Sequence, residues 1–450
     1  MKVLWKLIAW ALLGGVASIH AGDGLSAKVL KNGLQVIVIQ NHTVPLATVS
    51  IVFKNGSYTE TPEENGLTHL HTHMLFKANQ SYPTRESLLE RTRELGAITQ
   101  DYCREEWVNL QVTLPADSLR PGLDFISQSV MYPLFLGDQL ALEKQVVRDE
   151  IEREAANPGY HLVQARRAKL WGRNFCRKNY LGDRRVVRSA TLEQIRLIQE
   201  RYVIPNNTAL LVSGDVKPRV VFRMAKEFFG EWEPGPDPAQ AHPVPTIAHL
   251  EAHQDTVVVQ PVNNAEILMA WHGPSVGVDV KGTFAADVFS LILNQRTSEL
   301  QKNLVGSGIA LKVSAIYLTQ KHVGPILIGA VCRPQKYREA YQTLQAEIEK
   351  FADPEYFSDQ QLATAKTLLE VEAIYKGDKA SGHVEEVGFW WAIAGLEYYR
   401  DYLDNLRAVS REDIQQYLNT YIIGKPHVTA TMVNRETRRQ WSMAEESRIQ

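Results

Sequence analysis

Gly66-Leu67-Thr68-His69-Leu70-His71-Thr72-His73-Met74-Leu75-Phe76 packs three of the chain's thirteen histidines into an otherwise apolar run. The spacing predicts a helix over Glu64 to Phe76, on which His69 and His73 lie one turn apart on the same face. That is the separation at which two imidazoles grip one metal ion. His71 lies roughly 200° round the helix from His69 and cannot join them. A tetrahedral zinc site needs a third protein ligand, and a catalytic one leaves its fourth position to water.

Two carboxylates downstream are candidates. Glu143 and Glu150, within Leu142 to Ile151, are seven residues apart, so both can face the same way from a second helix. At this point the chain resembles the pitrilysin/insulinase metallopeptidases, a group that includes the mitochondrial processing peptidases. Their inverted zinc motif is His-x-x-Glu-His, followed about 75 residues later by Glu. Pro83-Thr84-Arg85, Leu95-Gly96 and Arg148-x-Glu150-Ile151 extend the likeness. It covers the chain from the end of its leader onward and is strongest from about Leu30 to Asp215.

The resemblance implies His69, His73 and Glu150 as ligands of one Zn2+, with Glu143 as a supporting second carboxylate. It also marks a gap: where the family carries the glutamate that activates water, this chain has Thr72. A hydroxyl is far too weak a base near neutrality, and a positioned base is worth about 10²–10⁴ in rate. In the family an edge strand holds the substrate peptide as an added strand; here Gln100 and Asp101 fall where an Asn-Ala pair usually sits. Active members also carry an Arg and a Tyr in the C-terminal half that bind substrate carbonyls. Leu304 and Leu311 occupy those two places.

Composition sets wider bounds. A chain of 450 residues calls for two or more domains, and 44% hydrophobic with 22% charged residues reads as soluble and globular. A net charge of −2 offers no electrostatic basis for nucleic-acid binding. Lys2 and Lys6 precede an apolar run from Leu7 to Val16 with small residues at Ala17 and Ala21, so residues 1–21 read as a secretory signal. The expected compartment is the bacterial periplasm or the exterior. Cys103, Cys176 and Cys332 are widely spaced and form no zinc or redox motif, so at most one disulfide is possible and free thiols are the default.

The remaining elements alternate between strands and helices. Lys28 to Val38 predicts an Asn-Gly hairpin, and Leu46 to Phe53 another strand. A helix follows Pro83 with Thr84 as its cap, then strands over Ile98–Tyr102 and Glu106–Leu114. Helices follow at Asp117–Met131 and Asp138–Ala155, then a buried strand from Thr208 and a helix to Phe229. Between Glu233 and Pro245 the density of proline predicts a linker with no regular structure.

Thr191 to Ile204 repeats as Ser410 to Ile423: Glu193 matches Glu412, Ile195 matches Ile414 and Tyr202 matches Tyr421, all at an offset of 219. The expected fold is therefore α+β in two duplicated halves, each a mixed or antiparallel sheet packed with helices. The expected division is 22–232 for the zinc-motif domain, 233–249 for the linker and 250–450 for a second domain. Carried back by the same offset, the histidine helix lands near Phe289 to Leu293, where no histidine remains.

Three readings of function follow. In the first, the chain is a zinc-binding, weak or inactive relative that clamps peptides or supports a partner, pairing with a homologue as a homo- or heterodimer. In the second, it is an active endopeptidase with a substitute base, Glu143 or His71. The third is a metal-free structural module.

Overall fold

The structure is a computed structural model that describes residues 19–20, 24–172, 178–376 and 380–441. The first half opens with β1 (Ile19–His20), β2 (Leu25–Val29), β3 (Gln35–Gln40) and β4 (Leu46–Phe53), then α1 (Leu67–Leu75) and α2 (Arg85–Glu94). It continues with β5 (Ile98–Cys103), β6 (Val108–Pro115), α3 (Leu119–Met131), α4 (Gly137–Ala155) and α5 (Pro158–Trp171). It closes with α6 (Arg184–Ser189), α7 (Leu192–Tyr202), β7 (Thr208–Gly214), α8 (Pro218–Phe229) and the single turn α9 (Pro238–Ala241).

The second half has β8 (Gln254–Val259), β9 (Ala265–His272), α10 (Val280–Asn294), α11 (Glu299–Gln301), β10 (Lys312–Tyr317) and β11 (Pro325–Cys332). Then come α12 (Tyr337–Lys350), α13 (Asp359–Lys376), α14 (Ala380–Ile393), α15 (Leu396–Ala408), α16 (Arg411–Tyr421) and β12 (Val428–Val433).

The two sheets repeat one topology. The first runs β1-β2-β3-β7-β4-β6-β5 and the second β10-β11-β9-β12-β8. In each, one parallel pair, β3 with β7 or β8 with β12, is followed by three antiparallel pairings, and in the first sheet β2 and β1 add two more on the other side of β3. The 219-residue offset links Gln35 to Gln254 and Leu46 to Ala265, the starts of β3 and β8 and of β4 and β9. It also links α7 to α16, both opened by a capping box, at Thr191 and at Ser410. The expected α+β duplication is therefore the fold.

Helix exchange locks the halves together. α5 leaves the first half to lie on β8, β9 and β12, while α14 leaves the second to lie on β4, β6 and β7. Leu162 and Leu170 face the second sheet from α5, and Trp171 stacks on His272 with centroids 4.7 Å apart. In return, Trp391 of α14 donates its indole N–H to Gln35 at 2.7 Å and lies under the Lys54 ammonium. Gly388 lets α14 approach β4: a Cβ there would stand 2.8 Å from a Val52 methyl. The largest core accordingly mixes Ile37, Val52 and Leu211 with Phe289, Trp390 and Leu418.

Three expectations need correcting. The proline-dense segment is not wholly irregular, because α9 starts with Pro238 in the first turn, where a missing N–H costs nothing, and Asp237 caps it by accepting from Ala239 N–H. The histidine helix starts at Leu67 rather than Glu64, since Gly66 stands in the left-handed region at φ +107°. Glu106 and Trp107 lie in a turn before β6, in which Arg104 N–H donates to the Trp107 carbonyl. The proposed leader reaches the described residues only at β1, and Cys176 lies outside them. Cys103 and Cys332 are free and buried.

Candidate metal centre

α1 and α4 pack side by side, with the end of β5 against α1. Although five of the nine residues of α1 are Thr or His, eight of the nine are buried and only His73 is half-buried. From α4, Glu143 is buried and Glu150 half-buried, the seven-residue spacing turning both toward α1.

The ends of His69, His73 and Glu150 converge. His69 Nε2 stands 3.2 Å from His73 Nε2, and Glu150 Oε2 stands 3.5 and 3.7 Å from those two atoms. Among the described residues this is the one group of three such side chains with ligand atoms close enough to share an ion.

The outer nitrogens define the proton positions. His69 Nδ1 lies 3.2 Å from the Leu181 carbonyl, which can only accept, so Nδ1 carries the hydrogen. His73 Nδ1 lies 3.1 Å from the Glu143 carboxylate, with the same consequence. Both Nε2 atoms therefore present lone pairs to each other and to a carboxylate oxygen, a repulsive arrangement that a cation relieves. Ligands about 2.0–2.2 Å from a tetrahedral zinc lie about 3.3–3.6 Å apart, and the three separations fall close to that range.

The electrostatics agree. Burial, then the neighbouring His73, pulls the His69 pKa down to about 4 against the Leu181 carbonyl, so the ring is neutral at neutral pH. Burial raises the Glu143 pKa, but the bonds from His73 and Lys77 outweigh it and leave the carboxyl below its ordinary value. Its second oxygen takes the Lys77 ammonium at 3.0 Å. Both Glu143 oxygens are thus engaged.

Thr72 is buried and turned inward, and its hydroxyl donates to the Thr68 carbonyl at 2.8 Å. The Cys103 thiol lies against it. His71 is fully buried on the opposite face, with Nε2 2.8 Å from Gln199 Oε1 and its ring between Phe53 and Phe135. Burial brings its pKa to about 4, with Gln199 opposing. His71 therefore has no access to the cluster and cannot serve as its base.

Gln100 and Asp101 sit on β5, the outermost strand, and both are exposed. The pleat sends them to opposite faces, so they do not act as a pair. Gln100 accepts from Gln111, while Asp101 shares the α1-facing side with Cys103. Desolvation raises the Asp101 pKa, with His73 and Lys77 pulling it back and Glu143 adding to the rise. In the second half, Leu304 is buried and Leu311 is half exposed. At the 219-residue offset Val288 and Ile292 of α10 replace His69 and His73, and Leu362 and Leu369 of α13 replace the two glutamates. No second centre arises there.

The sequence reading passed over Glu60, Lys77 and Leu181. Lys77 lies in the turn just past the end of α1, four residues beyond His73, so helical spacing within α1 did not single it out. Glu60 had one indirect signal: α1 begins at a glycine with no capping side chain. Leu181 had none, because its contribution is a main-chain carbonyl 112 residues away from His69.

Comparison with known proteins bears on the family and the fold. The family model "Insulinase (Peptidase family M16)" matches residues 35–183, and "Peptidase M16 inactive domain" matches 189–369. An uncharacterized zinc protease of Rickettsia felis is 22% identical over 375 residues, which is 83% of this chain and 89% of that protein. The crystal structure of a protease from Helicobacter pylori superposes with a TM-score of 0.81 at 19% identity, covering 91% of this chain and 99% of that one. The first half of the periplasmic protease PqqL from Escherichia coli gives 0.76 at 17% identity, with 94% of this chain and 95% of that half covered. This chain spans 49% of the whole PqqL chain. No helix of the described residues is long and apolar enough to cross a membrane.

Proposed function

The chain belongs to the pitrilysin/insulinase family of metallopeptidases, and on that premise we propose that it is a zinc-holding member without a base on its metal helix, a peptide-binding or partner subunit with weak or no peptidase activity. His69, His73 and Glu150 hold one zinc per chain, with Glu143 orienting His73. Zinc bound there supplies Lewis-acid polarisation of an oxygen. The observation that carries the reading is Thr72: its hydroxyl is committed to the Thr68 carbonyl, and both oxygens of Glu143 are held by His73 and Lys77. Neither supplies a proton acceptor.

The peptide reading draws on β5, which among the described residues pairs only with β6 and leaves its other edge to an extended segment. Gln100 would flank that segment on one face and Asp101 on the other. The partner reading draws on length, since the chain corresponds to one half of PqqL; a second unit of the same kind, as a homo- or heterodimer, would supply the facing wall. The leader-like residues 1–21 and the periplasmic setting of PqqL support a periplasmic or secreted location.

The test is Thr72→Glu, assayed on an unfolded peptide with zinc present. Cleavage should rise by about 10²–10⁴ over the wild type. Wild-type cleavage at ordinary metallopeptidase rates, with Thr72→Glu changing little, overturns the reading. Zinc well below one per chain in the purified protein would favour a metal-free module instead.

One observation favours a second reading, that of an active endopeptidase. Asp101 is a carboxylate on the α1-facing side of β5 and couples electrostatically to His73 and Lys77. As a replacement for Glu143 or His71, it would accept the proton of the attacking water while the oxygen bonds to the peptide carbonyl carbon and the C=O π pair moves onto the carbonyl oxygen; that proton would then pass to the leaving nitrogen as the C–N bond breaks. Loss of wild-type cleavage in Asp101→Asn, with zinc content unchanged, distinguishes this case.

A further inference from the structure

The first turn of α1 is held by a side chain outside the helix. Gly66 offers no capping group, and the Glu60 carboxylate fills that role: one oxygen accepts from Thr68 N–H at 2.7 Å, the other from Gly66 N–H at 2.9 Å and Asn65 Nδ2 at 3.0 Å. Glu60 is 2% exposed. A buried carboxylate in that place meets the free amides and the positive end of the helix together.

The same turn is strapped by residues 178–183. Lys178 Nζ donates to the Glu60 carbonyl at 2.6 Å, Asn65 Nδ2 to the Asn179 carbonyl at 2.9 Å, and Asp183 N–H to the Asn65 carbonyl at 3.0 Å. Between them the Leu181 carbonyl meets His69 Nδ1. Two glycines let the strap close: a Cβ on Gly182, itself at φ +104°, would stand 2.5 Å from Gly66 Cα. Glu60 and His69 are therefore tied to one short segment, one through the helix amides and the other through its ring.

We infer that Glu60, with the 178–183 strap, is a positioning residue that sets the first turn of α1 and the place of His69 before an ion arrives. The inference rests on the zinc reading only for its second measurement. A centre built in this way spends little of its binding energy on ordering ligands, and loss of such supporting groups typically lowers metal affinity about 10–100-fold.

The experiment uses Glu60→Gln, which keeps the shape but turns an amide N–H2 toward a main-chain N–H, and Asn65→Ala, which removes the side-chain tie between Glu60 and the strap with less disturbance. In the metal-free full chain, hydrogen exchange over residues 66–75 should quicken by about tenfold or more in both variants, with α10 unchanged. In the folded proteins zinc affinity, read by competition with a chromophoric chelator, should fall about 10–100-fold. A purely structural role would lower unfolding stability and leave that affinity in place. Unchanged exchange over 66–75, or affinity within about twofold of the wild type, overturns the inference. If the wild type takes up no zinc, the metal reading fails, and the exchange comparison alone upholds or overturns the positioning role.

Discussion

Gly388→Ala tests the helix exchange that joins the halves. The new methyl would stand 2.8 Å from Val52 Cγ2, against about 3.5–4.0 Å for relaxed carbon contacts. Val52 is fully buried on β4 and stiff at its branched Cβ, so neither partner yields easily. Overpacking of this kind costs about 1–3 kcal/mol, and replacing a mid-helix glycine by alanine returns about 1 kcal/mol, so the net loss is about 0–2 kcal/mol. Val52→Ala deletes the obstacle at its own cost of about 2 kcal/mol for the lost burial and cavity. In that background Gly388→Ala should change sign and stabilise by about 1 kcal/mol, a coupling of about 1–3 kcal/mol. The assay is urea unfolding of the four proteins, comparing midpoints at constant slope. An equal effect of Gly388→Ala in both backgrounds refutes the docking of α14 on β4.

Two further outcomes are expected. Glu143→Gln leaves either His73 Nδ1 or the Lys77 ammonium facing a donor, so zinc affinity should drop about 10–100-fold in a chelator competition; unchanged affinity would show that Glu143 does not orient His73. Burial lifts the Cys332 thiol to about 11 and the Cys103 thiol higher still, the charge of Glu60 adding to the latter and Thr72 opposing. Because a raised pKa keeps a thiol protonated below it, both should resist maleimide at pH 8 until urea unfolds the chain. Prompt native labelling of Cys103, read by mass spectrometry, would show that β5 is loosely packed on α1.

The repeat was legible because helix caps and buried strands leave local marks: Thr191 and Ser410 open equivalent helices, and the same offset holds from β3 to β8. The linker was misjudged at Pro238 because proline is disruptive inside a helix but harmless in its first turn. Glu143 and Glu150 stood out by helical spacing, yet only packing showed that Glu143 is held from both sides.

What the sequence by itself determined was whatever a period expresses: two histidines one turn apart, two glutamates two turns apart, Thr72 between the histidines, and a scaffold written twice. Tertiary structure alone decided where the hydroxyl of Thr72 goes, which face of β5 carries Asp101, that α5 and α14 trade places, and that Glu60 and the Leu181 carbonyl hydrogen-bond to the histidine helix. The physical reason is the range of the interactions. Side-chain periodicity is set by neighbours a few residues apart, whereas a main-chain carbonyl acting across 112 residues leaves no mark on the identity of the residue that provides it.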